Sequence, residues 1–289
     1  MLYRLFFCFY VTIDIERRKE VKRLKNRYVV MLILMFCFTL SMSKVKAIDY
    51  SELDLAPGEE VVAETTKYYK TVTVISRSNL MIKANLGEIS SITTEVTKEE
   101  YDNAPTDEEL KMAPRDVYEN YSTETAYKRL TSIITKYSDE LFRYRAILEW
   151  KNIPKTRSYD IIGVGFYASV KVATVIDLAN EYCRSANDCD ETQGYYPYEG
   201  LNGGAAVFRL PSGTLTSLKQ TLLVEVEKRN PSSTIVSQVC VADYSHATKS
   251  ISYDRAKQFY VDTGGISLQG IESYYDTMNT ANAYWEGTW

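Results

Sequence analysis

Between Phe142 and Lys151 the chain alternates: Phe142, Tyr144, Ala146, Leu148 and Trp150 fall on one face, and Arg143, Arg145, Ile147, Glu149 and Lys151 on the other. A period of two is that of a β-strand, and a face this apolar requires a partner layer. The same period recurs along much of the chain. Val72 and Val74 alternate with Thr71, Thr73 and Ile75 within a strand predicted over 68–76, and a second stretch, 80–94, is broken at Gly87. Strands over 125–137 and 141–151 form a predicted hairpin across the polar residues Ser138, Asp139 and Glu140. Pro154 removes a ladder donor and ends that pair.

One long strand is then predicted over 159–176, with Val164, Phe166, Ala168, Val170 and Val172 on one face. Residues 180–202 read as a long Tyr-rich loop. Further strands follow over 205–210, 218–228 and 234–244, the last two separated by the turn residues Asn230, Pro231 and Ser232. In the tail, 260–266 reads as one more strand and 271–283 as a short helix. Thr106 followed by Glu109 has capping-box spacing, and Pro114 limits any helix there to about two turns. Recurrent strands with turn signals and no long amphipathic helix predict a mainly β fold, an antiparallel β-sandwich or jelly roll with minor helical segments.

The amino-terminal pattern is of another kind. Lys22, Arg23, Lys25 and Arg27 precede an apolar run over 29–40, and Val45, Lys46 and Ala47 form a small-x-small site, so a secretory signal with cleavage after Ala47 is expected. The run is shorter than the about 20 residues of a permanent span, although a membrane anchor is the competing reading. A second apolar patch over 5–13 makes the front end unusually long, which points to a downstream start of translation. The expected divisions are 1–47 as extension and signal peptide, 48–118 as an amino-terminal segment with early strands and a linker, and 119–289 as the main β-rich domain. Residues 48–66 read as mobile.

Residues 1–47 hold ten Lys and Arg against three Asp and Glu, so the remainder carries 24 basic and 35 acidic residues, a formal charge of −11. That balance, with no basic cluster after Lys46, argues against nucleic-acid binding. Export also sets the redox setting for the three cysteines beyond the leader. Cys183 and Cys189 are spaced for a local disulfide around Arg184–Asp188, and Cys240, flanked by Val239 and Val241, reads as a small buried apolar residue. Scattered cysteines and a single histidine do not make a metal site. The carboxylates around Asn187, Asp188, Asp190 and Glu191 lack the spacing of a calcium loop and read as a solvated turn.

Two further patterns resemble sites. Gly163, Gly165 and Ala168 match a dinucleotide fingerprint, but the β-branched run after them opposes the helix such a site needs, so the glycines read as sheet positions allowing a bend or close packing, with no cofactor. His246 lies near Ser245, Asp243 and Cys240, yet no nucleophile-elbow pattern accompanies it, and a surface histidine at a strand end is expected. The aromatic supply is more suggestive. Tyr195, Tyr196 and Tyr198 crowd one segment and Trp285 and Trp289 the tail, and such side chains stack on sugars or anchor protein interfaces. Lys155 and Arg157, basic on an acidic chain, suggest a recognition loop.

The stretch from Leu148 to Asp160 resembles one in uncharacterised exported proteins of Gram-positive bacteria, a similarity that extends over 127–189. It implies export and a shared β domain, and no mechanism. The expectation is therefore a secreted or cell-surface interaction module for cell-wall glycan, polysaccharide or another surface protein. Membrane contact would be limited to the signal segment. A secreted hydrolase with carboxylate chemistry and an exported structural or adhesion component are the alternatives.

Overall fold

The computed structural model describes residues 53–76, 89–107, 109 and 121–289. The expected signal peptide and its cleavage site, the stretch 80–88 and the linker residues 110–118 lie outside these. The chain divides into two units, 1–54 and 55–289, and every described strand belongs to the second.

These strands are antiparallel and form two main sheets. The first contains β1 (Glu60–Ser76), β2 (Ile89–Val96), β3 (Tyr121–Lys136), β4 (Leu141–Trp150), β6 (Val170–Ser185), β7 (Asp188–Gln193) and β10 (Ser217–Lys228), in the order β2-β1-β3-β4-β10-β6-β7. The second contains β5 (Tyr159–Gly165), β8 (Tyr195–Gly200), β9 (Gly203–Arg209), β11 (Ser237–Ala247) and β14 (Tyr275–Thr277), in the order β14-β11-β5-β9-β8, with β15 (Ala281–Glu286) also on β11. A hairpin of β12 (Phe259–Asp262) and β13 (Gly265–Leu268) covers the outer face of this second sheet.

Between the sheets lies the main core. Leu130, Phe142, Tyr144, Leu148, Trp150, Leu222 and Val224 enter it from the first sheet and Ile162, Val164, Phe208, Cys240, Ala242 and Tyr244 from the second. The alternating face of β4 is thus buried as its pattern predicts, and its hairpin with β3 pairs Leu148 with Leu130 and Phe142 with Lys136. The fold is a mainly β sandwich whose described residues include the short helices α1 (Lys98–Asp102), capped by Thr97, and α2 (Tyr253–Ala256). The reciprocal Thr106–Glu109 capping bonds are also present.

Several segments differ from their sequence reading. Residues 60–66 are not mobile but open β1, which pairs along its length with β3. The single strand predicted over 159–176 is two strands in different sheets, β5 and β6. Alternation continues through the crossing because Phe166 and Val170, on either side of the connection, face the same core. The predicted loop over 180–202 holds the end of β6, β7 and β8; β7 is exposed along its whole length and so has no apolar face to reveal it. The helix expected over 271–283 is a single 3-10 turn followed by β14 and β15, and 260–266 belongs to the β12–β13 hairpin.

Gly163 and Gly165 serve close packing. A Cβ at Gly165 would lie 2.2 Å from the Asp262 carbonyl oxygen, and one at Gly163 would lie 2.8 Å from Ile266. The β12–β13 hairpin rests directly on the backbone of β5. Cys183 and Cys189 form the disulfide that their spacing predicts, joining β6 to β7, and Cys240 is free and buried. Burial pushes its thiol up to about 12, the state of an inert core residue.

Candidate functional site

The exposed aromatic surface is built on β8. Against β9, Tyr195 pairs with Val207 but Tyr198 with Ala205, so the strand carries one extra residue, and Tyr196 sits at the bulge with φ of +52°. A bulge re-aims side chains and left-handed backbone is costly for a tyrosine, a combination that marks built rather than incidental geometry. Tyr195 and Tyr196 keep 47% and 38% of their surface exposed.

Neighbouring elements fix these rings from beneath. Tyr196 and Tyr198 pack on Phe259 of β12 with centroids 6.2 and 5.6 Å apart, and Tyr195 meets Tyr253 of α2 at 6.0 Å. Tyr159 supports Tyr253 from β5 at 5.7 Å. Lys257 places its ammonium 4.6 Å from the Tyr253 ring and 5.7 Å from that of Tyr196, and is paired with Asp254 at 2.9 Å. The result is a rigid aromatic surface with one cation among its rings, able to stack on flat apolar faces and to donate hydrogen bonds through hydroxyls.

The other residues singled out by sequence lie in different surroundings. Trp289 is buried, 4.6 Å from Phe142 between ring centroids, with its indole N–H donating to the Asp139 carbonyl at 3.1 Å; Trp285 packs 5.0 Å from the same phenylalanine. Both close the main core. Lys155 pairs with Glu124. Arg157 donates to the carbonyls of Pro154 at 2.6 Å and Pro211 at 2.7 Å, bracing the loop it was expected to arm for recognition. Asp188, Asp190 and Glu191 lie on the exposed β7, and among the described residues no three metal-ligating side chains are grouped to hold an ion.

His246 is not a surface residue. It is buried, and its Nδ1 lies 3.0 Å from Asp160 of β5, while Asp243 accepts instead from the backbone N–H groups of Tyr244 and Ile266. The sequence neighbours of His246 are therefore not its partners, because adjacent strand residues point to opposite faces. Asp160 also accepts from the Ala247 N–H at 2.8 Å and from the Tyr244 hydroxyl.

Across the core stands Lys128 of β3, with no exposed surface. Its Nζ lies 3.7 Å from Asp276 Oδ2, 4.8 Å from the Trp150 ring centroid and 5.4 Å from that of Tyr244, and makes no hydrogen bond. Thr93, itself 2.6 Å from Thr71, donates to Asp276 Oδ2. Burial drives the Lys128 ammonium toward its neutral form, against the attraction of Asp276 and Asp160.

The sequence carries a signal of this cluster that local pattern alone does not resolve into a site. On β3 the inward positions run Lys128, Leu130, Ser132, Ile134, and on β5 Asp160, Ile162, Val164, so each charge continues an apolar face. A shallow depression of about 430 Å³, lined by Tyr167, Arg229, Ser233, Ile235 and Val236, lies apart from both groups. Among the described residues no helix is long and apolar enough to cross a membrane.

No family model matches the chain, and no curated protein matches it. Among solved structures, the full-length major pilin SpaD of Corynebacterium diphtheriae is similar over 62% of this chain at 6% identity, with a TM-score of 0.26. The similarity spans 55% of that pilin's length.

Proposed function

We propose that the chain is an exported β-sandwich that acts as an extracellular interaction module, docking glycan or a surface protein through the tyrosine surface of β8. The observation that carries this reading is the exposure of Tyr195 and Tyr196 on a bulged strand whose rings are held by Tyr253 and Phe259. Ordered aromatic rings lose little conformational freedom on binding, which suits them to anchor a partner. The Cys183–Cys189 disulfide suits an oxidising exterior.

The leading ligand class is a polysaccharide, whose pyranose faces match tyrosine rings in size and polarity. An array of cell-wall and capsular polysaccharides, probed with the protein and with Tyr195→Ala/Tyr196→Ala, tests it. Retention by the wild type and a drop of at least tenfold in the double variant, at unchanged thermal midpoint, is the expected result. Equal retention of both proteins would exclude this surface, and turnover of a glycan without retention would favour the hydrolase alternative.

A further inference from the structure

The cluster at Lys128 has a feature that ordinary ion pairing does not explain. A fully buried ammonium normally gathers hydrogen bonds, because an unpaired one costs several kcal/mol. Lys128 Nζ has none, and instead faces a carboxyl at 3.7 Å with two aromatic rings closing the other sides.

We propose that Lys128 and Asp276 condense into an intramolecular amide that covalently joins the two sheets. The geometry supplies each part of the reaction. Lys128 Nζ lies 3.7 Å from Asp276 Oδ2, which holds it beside the carboxyl carbon it would attack, and burial favours the unprotonated amine, the nucleophilic form. The Thr93 hydroxyl donates to Asp276 Oδ2, where negative charge would develop as the amine adds. Asp160 acts on the Lys128 amine electrostatically and is held in place by the Ala247 N–H, the Tyr244 hydroxyl and His246.

The step balances without a co-reactant. The neutral amine adds to Cγ of the Asp276 carboxylic acid, forming the N–C bond, and Oδ2 takes the charge beside Thr93. Nζ then gives a proton to the Asp160 carboxylate, which returns it to the departing Oδ1 hydroxyl. The C–Oδ1 bond breaks, one water leaves, and Asp160 ends in its starting state. Two charges buried at cost become one neutral amide in the same space. Lys128 lies on β3 of the first sheet and Asp276 on β14 of the second, so the bond would span the core between them.

Mass spectrometry of the purified wild-type protein, with its amino terminus first identified from peptides, is the test. With the Cys183–Cys189 disulfide reduced, the expected mass is lower than that of the sequence by one water, and tryptic digestion should yield one branched species joining the peptide with an uncleaved Lys128 to that containing Asp276. A full-mass protein cleaved normally after Lys128 would overturn the proposal, and so would a water loss mapped to any other pair. Lys128→Arg and Asp276→Ala should both abolish the loss. Asp160→Asn should retain the full mass while circular dichroism shows the folded sandwich; if it loses water as the wild type does, the role assigned to Asp160 is wrong. Because the wild-type measurement needs no variant, failure of a substituted chain to fold leaves the test intact. It is also independent of glycan binding.

Discussion

At the level of single residues, the outer face of β11 carries an unusual carboxyl. Asp243 accepts backbone N–H groups from Tyr244 at 2.7 Å and from Ile266 at 2.8 Å, tying the β12–β13 hairpin to the second sheet. Burial raises its pKa to about 7, the two hydrogen bonds only partly opposing this. The folded state thus holds the proton more tightly than the unfolded chain, whose aspartates titrate near about 4. Between those values the unfolded carboxyl is ionised and the folded one protonated, so this group's contribution to stability falls as pH rises from about 4 to about 7 and is level above. Asp243→Asn should flatten that part of the profile. Urea midpoints measured across the window for both proteins check it, and parallel profiles would refute it. At the tyrosine surface the strain is conformational. Replacing Tyr196 by glycine relieves a positive φ that costs a tyrosine about 1–3 kcal/mol, while removing a ring that packs on Phe259. Tyr196→Gly should therefore hold stability within about 1 kcal/mol of wild type while glycan retention falls. A large loss of stability with retained binding would make that ring structural.

Elements differ in how plainly their residues announce them. The β3–β4 hairpin was legible because one face of each strand is apolar and a short polar connection lies between. The join between β5 and β6 was not, since alternation reports which side of a residue faces the core and not which sheet it belongs to. β7 offers no buried position at all; it is an edge strand held by pairing to β6 and by the disulfide. Of the site, Tyr195, Tyr196 and Tyr198 were visible as a cluster of residue types, whereas Tyr253, Phe259 and Lys257 reach them from another part of the chain. Lys128 was visible in principle as a charge on an apolar strand face. That Asp160, His246 and Asp276 stand opposite it depends on sheet order, which local pattern does not encode. The status of β7 gives a prediction of its own. Closing so short a loop contributes about 2 kcal/mol by chain entropy, and the strand it secures can open without exposing core. Cys183→Ser/Cys189→Ser should speed hydrogen exchange in 183–193 while leaving β3, β4 and β10 protected as before. Faster exchange throughout both sheets would show that the disulfide supports the whole domain.

For the molecule as a whole, the decisive fact is that both sheets bury their inner faces in one core. Neither can leave without uncovering the other: Trp150 of β4 meets Tyr244 of β11 at 6.2 Å, Tyr144 meets Phe166 at 5.7 Å, and Phe142 is covered by Trp285 and Trp289 from the carboxyl-terminal strand and its end. The pairing is also non-local, with β10 joining β4 to β6 and β1 lying between β2 and β3, so partial structures gain little before the layers meet. Unfolding should accordingly be a single transition. Leu148, fully buried between Leu130 and Gln220 in the ladder, probes it. Truncation to alanine removes buried volume that a rigid β layer cannot refill, at a cost of about 2–5 kcal/mol. In Leu148→Ala, far-ultraviolet dichroism from both sheets and tryptophan signals from Trp150, Trp285 and Trp289 should shift to lower urea together, with the denaturant slope unchanged. Separated midpoints would mean that the second sheet, carrying β8 and its tyrosines, holds its structure alone, and the interaction surface would then survive damage to the first.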